Sequence, residues 1–209
     1  PVLMDDAQLI GEALNVAASG EALVFDPKRF TVIARSANLP AAQADFAALL
    51  TALADDRDIA AASQRLAALP ARSGVAIDYP ARAQHAKQLP SYKNDIAPII
   101  SDNCASCHRE GGIAPFAMDS HTMVLGWSPM IREVLLTKRM PPGQIDAHIG
   151  DFINDMVLAD GDAQKLVHWI NNGSQVDSET DPLTALTWPE TKWSLAGQIG
   201  EPDLIVKVP

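Results

Sequence analysis

Cys104-Ala105-Ser106-Cys107-His108 determines most about this chain, because the stretch contains both of its cysteines and an adjacent histidine. A C-x-x-C-H spacing is the attachment signature of a c-type haem. Two thiols about one helical turn apart each add to a haem vinyl group, and the neighbouring imidazole is brought under the iron as a ligand. The sequence therefore predicts one covalently bound haem c.

Two other uses of a C-x-x-C pair fit this chain less well. A structural zinc site usually takes four Cys or His ligands in paired clusters, and the sequence has no second such pair. A thioredoxin-type dithiol would follow a strand and open a helix, whereas Cys104 and Cys107 lie amid a helical pattern. Haem attachment remains the favoured interpretation.

Composition limits the partners of the chain. With 209 residues and 47% hydrophobic content, it has room for one large or two small domains. The net charge of -10 argues against nucleic acid or an anionic membrane surface as a partner. No run approaches about 18 apolar residues, so we predict no membrane insertion. The chain begins with Pro1 and shows no secretory signal, which indicates a processed form or an excised piece.

The N-terminal part reads as mixed α and β. Two short apolar runs at residues 22–25 and 31–34, separated by Asp26-Pro27-Lys28-Arg29, predict a β-hairpin. Before them we expect a strand at residues 1–4, and then a helix from Asp5 or Asp6 to about residue 17 with an aspartate cap.

The next segment is rich in alanine and leucine over residues 41–69, which predicts two short helices broken near Asp55 and Asp56. Residues 70–90 carry three prolines and predict a connection between modules, with one possible strand at 75–79. We place the boundary near residue 85.

The remainder is predicted to be helical. Ile96, Ile99 and Ile100 give a helix that leads directly into Cys104. A second helix is expected from about residue 160 to 172, with Gly173 as its C-terminal stop.

Several motifs together resemble a class I cytochrome c. They are Asn103-Cys104-Ala105-Ser106-Cys107-His108, Arg139-Met140-Pro141-Pro142 and Leu166-Val167-His168-Trp169-Ile170. More narrowly, residues 111–116, 127–133 and 139–142 resemble the cytochrome c module of large secreted bacterial proteins. Those proteins combine a redoxin domain, a cytochrome c and a copper monooxygenase-like domain in one polypeptide.

The resemblance continues on both sides of this module. Residues 2–6 and 24–27 are similar to the later half of the redoxin domain, although no cysteine is present there for thiol–disulfide exchange. Residues 200–205 resemble the junction that leads to the copper domain.

The resemblance implies a mainly α fold in three parts. Residues 1–84 would form a partial, cysteine-free redoxin or thioredoxin-like α/β region with a linker, and residues 85–180 a mono-haem class I cytochrome c domain. Residues 181–209 would be a C-terminal extension towards a downstream domain.

The second axial ligand of the iron decides what a haem does. By resemblance to the methionine loop of class I cytochromes c, Met140 is expected to join His108 as a metal ligand. The alternatives are a core role for Met140, a histidine ligand and an open position. Met123 and Met130 fit helix packing, while Met118, His121 and His148 lie in predicted loops. For His85 and His168 we expect surface or capping roles.

Further residues are expected to line the haem. They are Pro115, Phe116, Trp127 and Ile131, with Arg139 or Arg132 as a partner of a propionate. Core packing or a solvated charge is the alternative for each. The resemblance also implies that the carbonyl of Ala114 accepts the N–H of His108.

The sequence predicts electron transfer by one haem with His108 and Met140 as ligands, which requires no acid–base residue. The expected partner is a redox protein or an adjacent copper monooxygenase-like domain. A haem peroxidase, or a gas-binding or sensing module with an open sixth position, is the alternative, so an enzymatic role stays undecided. Covalent haem attachment implies the bacterial periplasm or secretion.

Overall fold

The computed structural model describes residues 4–26, 31–36, 39–69, 74–146, 148–150, 152–153, 155–188 and 195–206. Over these ranges the fold is mainly α-helical with one two-stranded sheet. The elements are α1 (Leu9–Ala13), β1 (Ala22–Asp26), β2 (Thr31–Ser36), α2 (Leu39–Ala54), α3 (Ala60–Ala68), α4 (Pro80–Lys87), α5 (Ala97–Asn103), α6 (His121–Leu136), α7 (Asp160–Asn171) and α8 (Ala196–Ile199). A π-helical turn, Tyr92–Ile96, runs into α5, and a 3-10 turn spans Pro182–Ala185.

The predicted hairpin is confirmed. β1 and β2 pair antiparallel, with an irregularity in the register between Val24 and Phe25. Residues 27–30, which include most of the predicted turn, lie outside the described residues. So do residues 1–3 of the first predicted strand, and Met4 belongs to no strand.

The first helix is shorter than predicted. α1 begins at Leu9, not at Asp5 or Asp6, and ends at Ala13. The carboxylate of Asp5 still serves as a cap, because it accepts hydrogen bonds from the free backbone amides of Ile10 and Gly11 at 3.2 and 2.7 Å.

The two alanine-rich helices are confirmed, with the break at Asp55 and Asp56. They form a small core with β2, since both helices turn apolar side chains towards the strand. The buried members of this hairpin core are Ala42, Phe46 and Leu49 of α2 and Ala62 and Leu66 of α3, with Ala34 of β2.

The connection predicted over residues 70–90 contains a helix that was not predicted, because α4 lies within it. Pro80 stands at the first turn of α4, where a missing backbone N–H is tolerated. The expected strand at 75–79 is reduced to a single bridge between Ala76 and Ala18. α4 packs on α7, so residue 84 lies inside a helix that contacts the C-terminal half.

A second core lies among α5, α6 and α7. Tyr92, Ile96, Ile100, Val124 and Leu166 are fully or almost fully buried in it. Their burial explains why the isoleucine pattern before the motif predicted its helix correctly.

Two local hydrogen-bond patterns fix the helices of this core. At the start of the π-helical turn, the hydroxyl of Ser91 accepts from Asn94 N while the carboxylate of Asp95 accepts from Ser91 N, as in a capping box. In α6, Pro129 lacks the N–H that would bond to the carbonyl of Leu125. The buried hydroxyl of Ser128 donates to that carbonyl at 2.8 Å instead.

Among the described residues no helix is both long and apolar enough to span a bilayer.

Candidate functional site

The C-x-x-C-H motif follows the last turn of α5 and continues its hydrogen bonding. Cys104 N donates to the carbonyl of Ile100, and His108 N donates to the carbonyl of Cys104 at 2.9 Å. Side chains three and four residues apart lie on one face of a helical turn. Cys104, Cys107 and His108 therefore share one side of the turn.

The loop after the motif folds back beneath it. Ala114 N donates to the carbonyl of Cys107, and Met118 N donates to the carbonyl of His108 at 2.8 Å. Gly112 makes this return possible, because a Cβ atom there would lie 2.3 Å from the carbonyl oxygen of Cys107. Gly112 is thus required by the closeness of the two backbone segments, whereas Gly111 is favoured by its left-handed φ of +68°.

The imidazole of His108 is held by the returning loop. Its Nδ1 lies 3.1 Å from the carbonyl oxygen of Phe116, which accepts the N–H. The expectation that the carbonyl of Ala114 makes this contact was wrong: the loop reaches the ring two residues later, at Phe116. Because Nδ1 is engaged, Nε2 is the ring nitrogen left for a further interaction.

Phe116 is held in turn by α6. Its ring stacks on Trp127, with centroids 4.4 Å apart and planes 15° apart, and its centroid is 4.6 Å from that of His108. Trp127 stands behind Phe116 and does not line the cavity described next. Its effect on His108 is therefore exerted through Phe116.

An apolar cavity of about 310 Å³ lies against the motif. It brings together seven of the nine predicted site residues: Cys104, Cys107, His108, Pro115, Phe116, Ile131 and Met140. Among the described residues that line it, none is an acid, a lysine or an arginine. The structure thus places thiols, imidazole and thioether around one apolar space.

No family model, curated protein or solved structure matches this chain.

Met140 lies in the segment between α6 and α7 and is 39% exposed. Pro141 beside it is buried and lines the same cavity. Met130 and Met156 also line it, and both are partly exposed. Met118, which is buried, lines the cavity as well, so Met140 shares it with three other methionines.

The two cysteines are not joined in a disulfide. Burial, with a smaller contribution from Cys107, raises the pKa of the Cys104 thiol to about 11. At neutral pH this thiol is protonated, whereas thiol–disulfide exchange requires a thiolate.

Arg139 does not line the cavity. Its guanidinium pairs with the carboxylate of Glu133, and its Nε donates to Thr137. The alternative partner of a propionate, Arg132, donates to the side chain of Asn171 at 2.7 Å. Both arginines thus have protein partners.

The remaining methionine and histidine candidates divide between the cavity and other places. Met118 is buried and lines the cavity, but Met123 does not line it. His121 contacts the carbonyl of Ser174, and His148 contacts Asp146, so both histidines have partners away from the cavity. Of the surface or capping roles expected for His85 and His168, the surface role was wrong, since both are buried; each lies in the last turn of its helix.

Several lining residues were not predicted as part of the site. Val134 and Leu135 lie three and four positions after Ile131 on the same helix, so the helical period could have predicted them as lining residues. No sequence signal tied Met156, Leu158 and Leu166 to the cavity, because they come from distant parts of the chain. Among the described residues no group of three or more His, Cys, Asp or Glu side chains is arranged to hold a metal ion by itself.

Proposed function

We propose that this chain is an electron-transfer module that holds one covalently attached haem c. The supporting observation is the meeting of Cys104, Cys107, His108 and Met140 at a single apolar cavity. Met140 lies 32 positions after His108 (140 − 108), so its meeting with the motif is a property of the fold.

The chemistry of the donor set fits a haem. The thiols of Cys104 and Cys107 are free to form thioethers, and His108 has Nδ1 fixed by a backbone carbonyl, which leaves Nε2 as the iron ligand. Met140 would supply a thioether as the second protein ligand of the iron. A bound haem would supply reversible one-electron chemistry at iron.

The protein's own contribution is to hold the imidazole of His108 in place and to exclude water from the cavity. The carbonyl of Phe116 orients the imidazole and increases its donor strength, and the stack with Trp127 fixes Phe116. Apolar walls lower the local dielectric, which with the axial ligands sets the reduction potential. No general acid or base is needed.

We extend the proposal to the fold of the two parts of the chain. We assign the helical part, α5 to α7, to a class I cytochrome c-like domain, and the hairpin with α2 and α3 to a redoxin-derived region. A copper monooxygenase-like domain or a separate redox protein is then the proposed partner. The periplasm or secretion follows, because bacterial c-type haem is attached to translocated chains.

The position of Met140 supports one alternative. A ligand that lies outside any helix is held less firmly than one inside a helix, as a peroxidase or gas-binding module would require. Carbon monoxide distinguishes the two functions, since it binds reduced haem only where the sixth position opens.

The test is expression of the chain with a c-type maturation system in a periplasm. We expect haem that stays with the polypeptide after acid extraction, a six-coordinate reduced spectrum, and little binding of carbon monoxide. Cys104→Ala and Cys107→Ala should each leave one thioether bond and shift the reduced absorption band. Haem that is extracted from the intact chain would refute attachment, and rapid binding of carbon monoxide would favour the alternative.

A further inference from the structure

A buried chain of three titratable side chains lies outside the cavity. Nδ1 of His85 on α4 is 2.7 Å from Nδ1 of His168 on α7, and Nε2 of His168 is 2.7 Å from Oε2 of Glu12 on α1. The two histidines are 8% and 5% exposed. This histidine chain, Glu12–His168–His85, therefore connects three elements that are far apart in sequence.

The contacts permit only some protonation states. With both rings neutral, His168 donates from Nε2 to Glu12 and accepts at Nδ1 from Nδ1–H of His85. With one extra proton, His168 donates from both nitrogens and His85 accepts. With two extra protons, both Nδ1 atoms carry hydrogen and face each other at hydrogen-bond distance, so the contact turns repulsive.

The environment discourages the second proton. Burial, followed by the neighbouring His168, lowers the pKa of His85. Oε1 of Glu12 is buried with no hydrogen-bond partner among the described residues, so this carboxylate depends on His168. The other charged groups near His85 are Lys165 of α7, Asp95 of the π-helical turn, Arg82 of α4 and Arg132 of α6.

We propose that the histidine chain is a pH-operated latch that keeps α1 and α4 docked on α7 at neutral pH and releases α4 in mild acid. α4 is short and exposes most of its other side chains, so few apolar contacts oppose its release. α7 also carries Leu166, which lines the apolar cavity, so the helix that holds His168 contributes to both places. The latch does not depend on the proposed haem.

The sign of the pH dependence follows from linkage. A histidine whose pKa is lower in the docked state than in the released state favours docking at high pH, and this preference is lost as pH falls below the released value near 6.5. At about pH 5.5 the docking equilibrium should be weaker by up to about tenfold, since one proton is taken up on release.

Amide hydrogen exchange on the full chain tests the latch. After correction for intrinsic rates, protection of α4 should fall by up to about tenfold between pH 7.5 and about 5.5, while protection of α5 stays constant. His85→Asn keeps a neutral hydrogen-bonding group near the Nδ1 position, so its α4 should lose this pH dependence. His148→Asn, at an exposed histidine paired with Asp146, should retain it.

If His85→Asn fails to fold, nitrogen NMR of the imidazoles tests the same proposal on the unaltered chain. We expect one shared proton between the two Nδ1 atoms at pH 7.5, and loss of the pairing together with loss of α4 protection in acid. Unchanged α4 protection at pH 5.5, or an equal drop in His85→Asn, would overturn the latch.

Discussion

At the scale of single residues, the functional hypothesis depends on which atoms of His108 are already engaged. Its Nδ1 is bonded to the carbonyl of Phe116, so only Nε2 faces a new partner. The sequence names the histidine, but the ring nitrogen that is free is decided by the loop that returns beneath it. Met140 lacks such a decisive contact, and its role rests on its place at the cavity.

Met140→Ala tests that role. We expect the loss of the long-wavelength sulfur-to-iron absorption of the oxidised haem protein and fast binding of carbon monoxide after reduction, because the sixth position becomes open. Met130→Ala removes another partly exposed thioether of the same cavity and should change neither property. If the two variants exchange these outcomes, Met130 is the ligand; if neither changes the spectrum, the assignment of Met140 fails.

At the scale of elements, the helices around the cavity are joined by buried polar side chains as well as by apolar packing. Tyr92, in the turn before α5, is fully buried and donates to Oδ1 of Asp181 at 2.6 Å. The same carboxylate accepts from the amides of His121 and Leu183. Asp181 thus joins the starts of α5 and α6 to the 3-10 turn. Burial, together with this hydrogen bond, raises the pKa of Tyr92, so the phenol is a neutral donor at physiological pH.

Tyr92→Phe should therefore destabilise the chain by about 1.5 to 3 kcal/mol, the usual contribution of a hydrogen bond to a charged group. Asp181 keeps its two amide donors, which favours the lower value. Urea unfolding followed by circular dichroism gives the change. Tyr79→Phe is a matched comparison, because its hydroxyl donates to the neutral carbonyl of Val16, and about 1 kcal/mol is expected. A larger effect at Tyr79 would contradict the importance assigned to Asp181.

At the scale of the whole molecule, the described residues form two separate cores. The hairpin core contains β2, α2 and α3, and the other surrounds the motif with α5, α6 and α7. Within the described ranges, no buried residue belongs to both. α1 and α4 contact the second core through α7, although they precede the motif in sequence.

Leu49→Ala should affect the hairpin core alone. Leu49 is completely buried, so its truncation is expected to cost about 2 to 5 kcal/mol in local stability. Hydrogen exchange should speed up in α2 and α3 and stay unchanged in α5 to α7, with the haem spectrum retained. Leu50→Ala, at a neighbouring side chain that is 53% exposed, should change little. Equal acceleration in both cores after Leu49→Ala would show one cooperative unit.

Local patterns predicted the local structure well. Alternating and helical periods depend on a few neighbouring residues, which is why the hairpin, the break at Asp55 and Asp56, and the helix before Cys104 were predicted correctly. α4 was missed because its sequence between Pro80 and Pro90 has few apolar residues, and its packing on α7 is a tertiary contact.

The sequence by itself determined the chemistry available to this protein: two thiols and an imidazole on one turn, a methionine beside two prolines, and a mainly helical chain. Only the tertiary structure decided which carbonyl holds His108, which arginines are already paired, and that His85, His168 and Glu12 meet in the interior. The physical reason is the distance along the sequence between the groups that interact. Spacing fixes neighbours within a turn, whereas contacts between groups more than eighty positions apart exist only once the cores have packed.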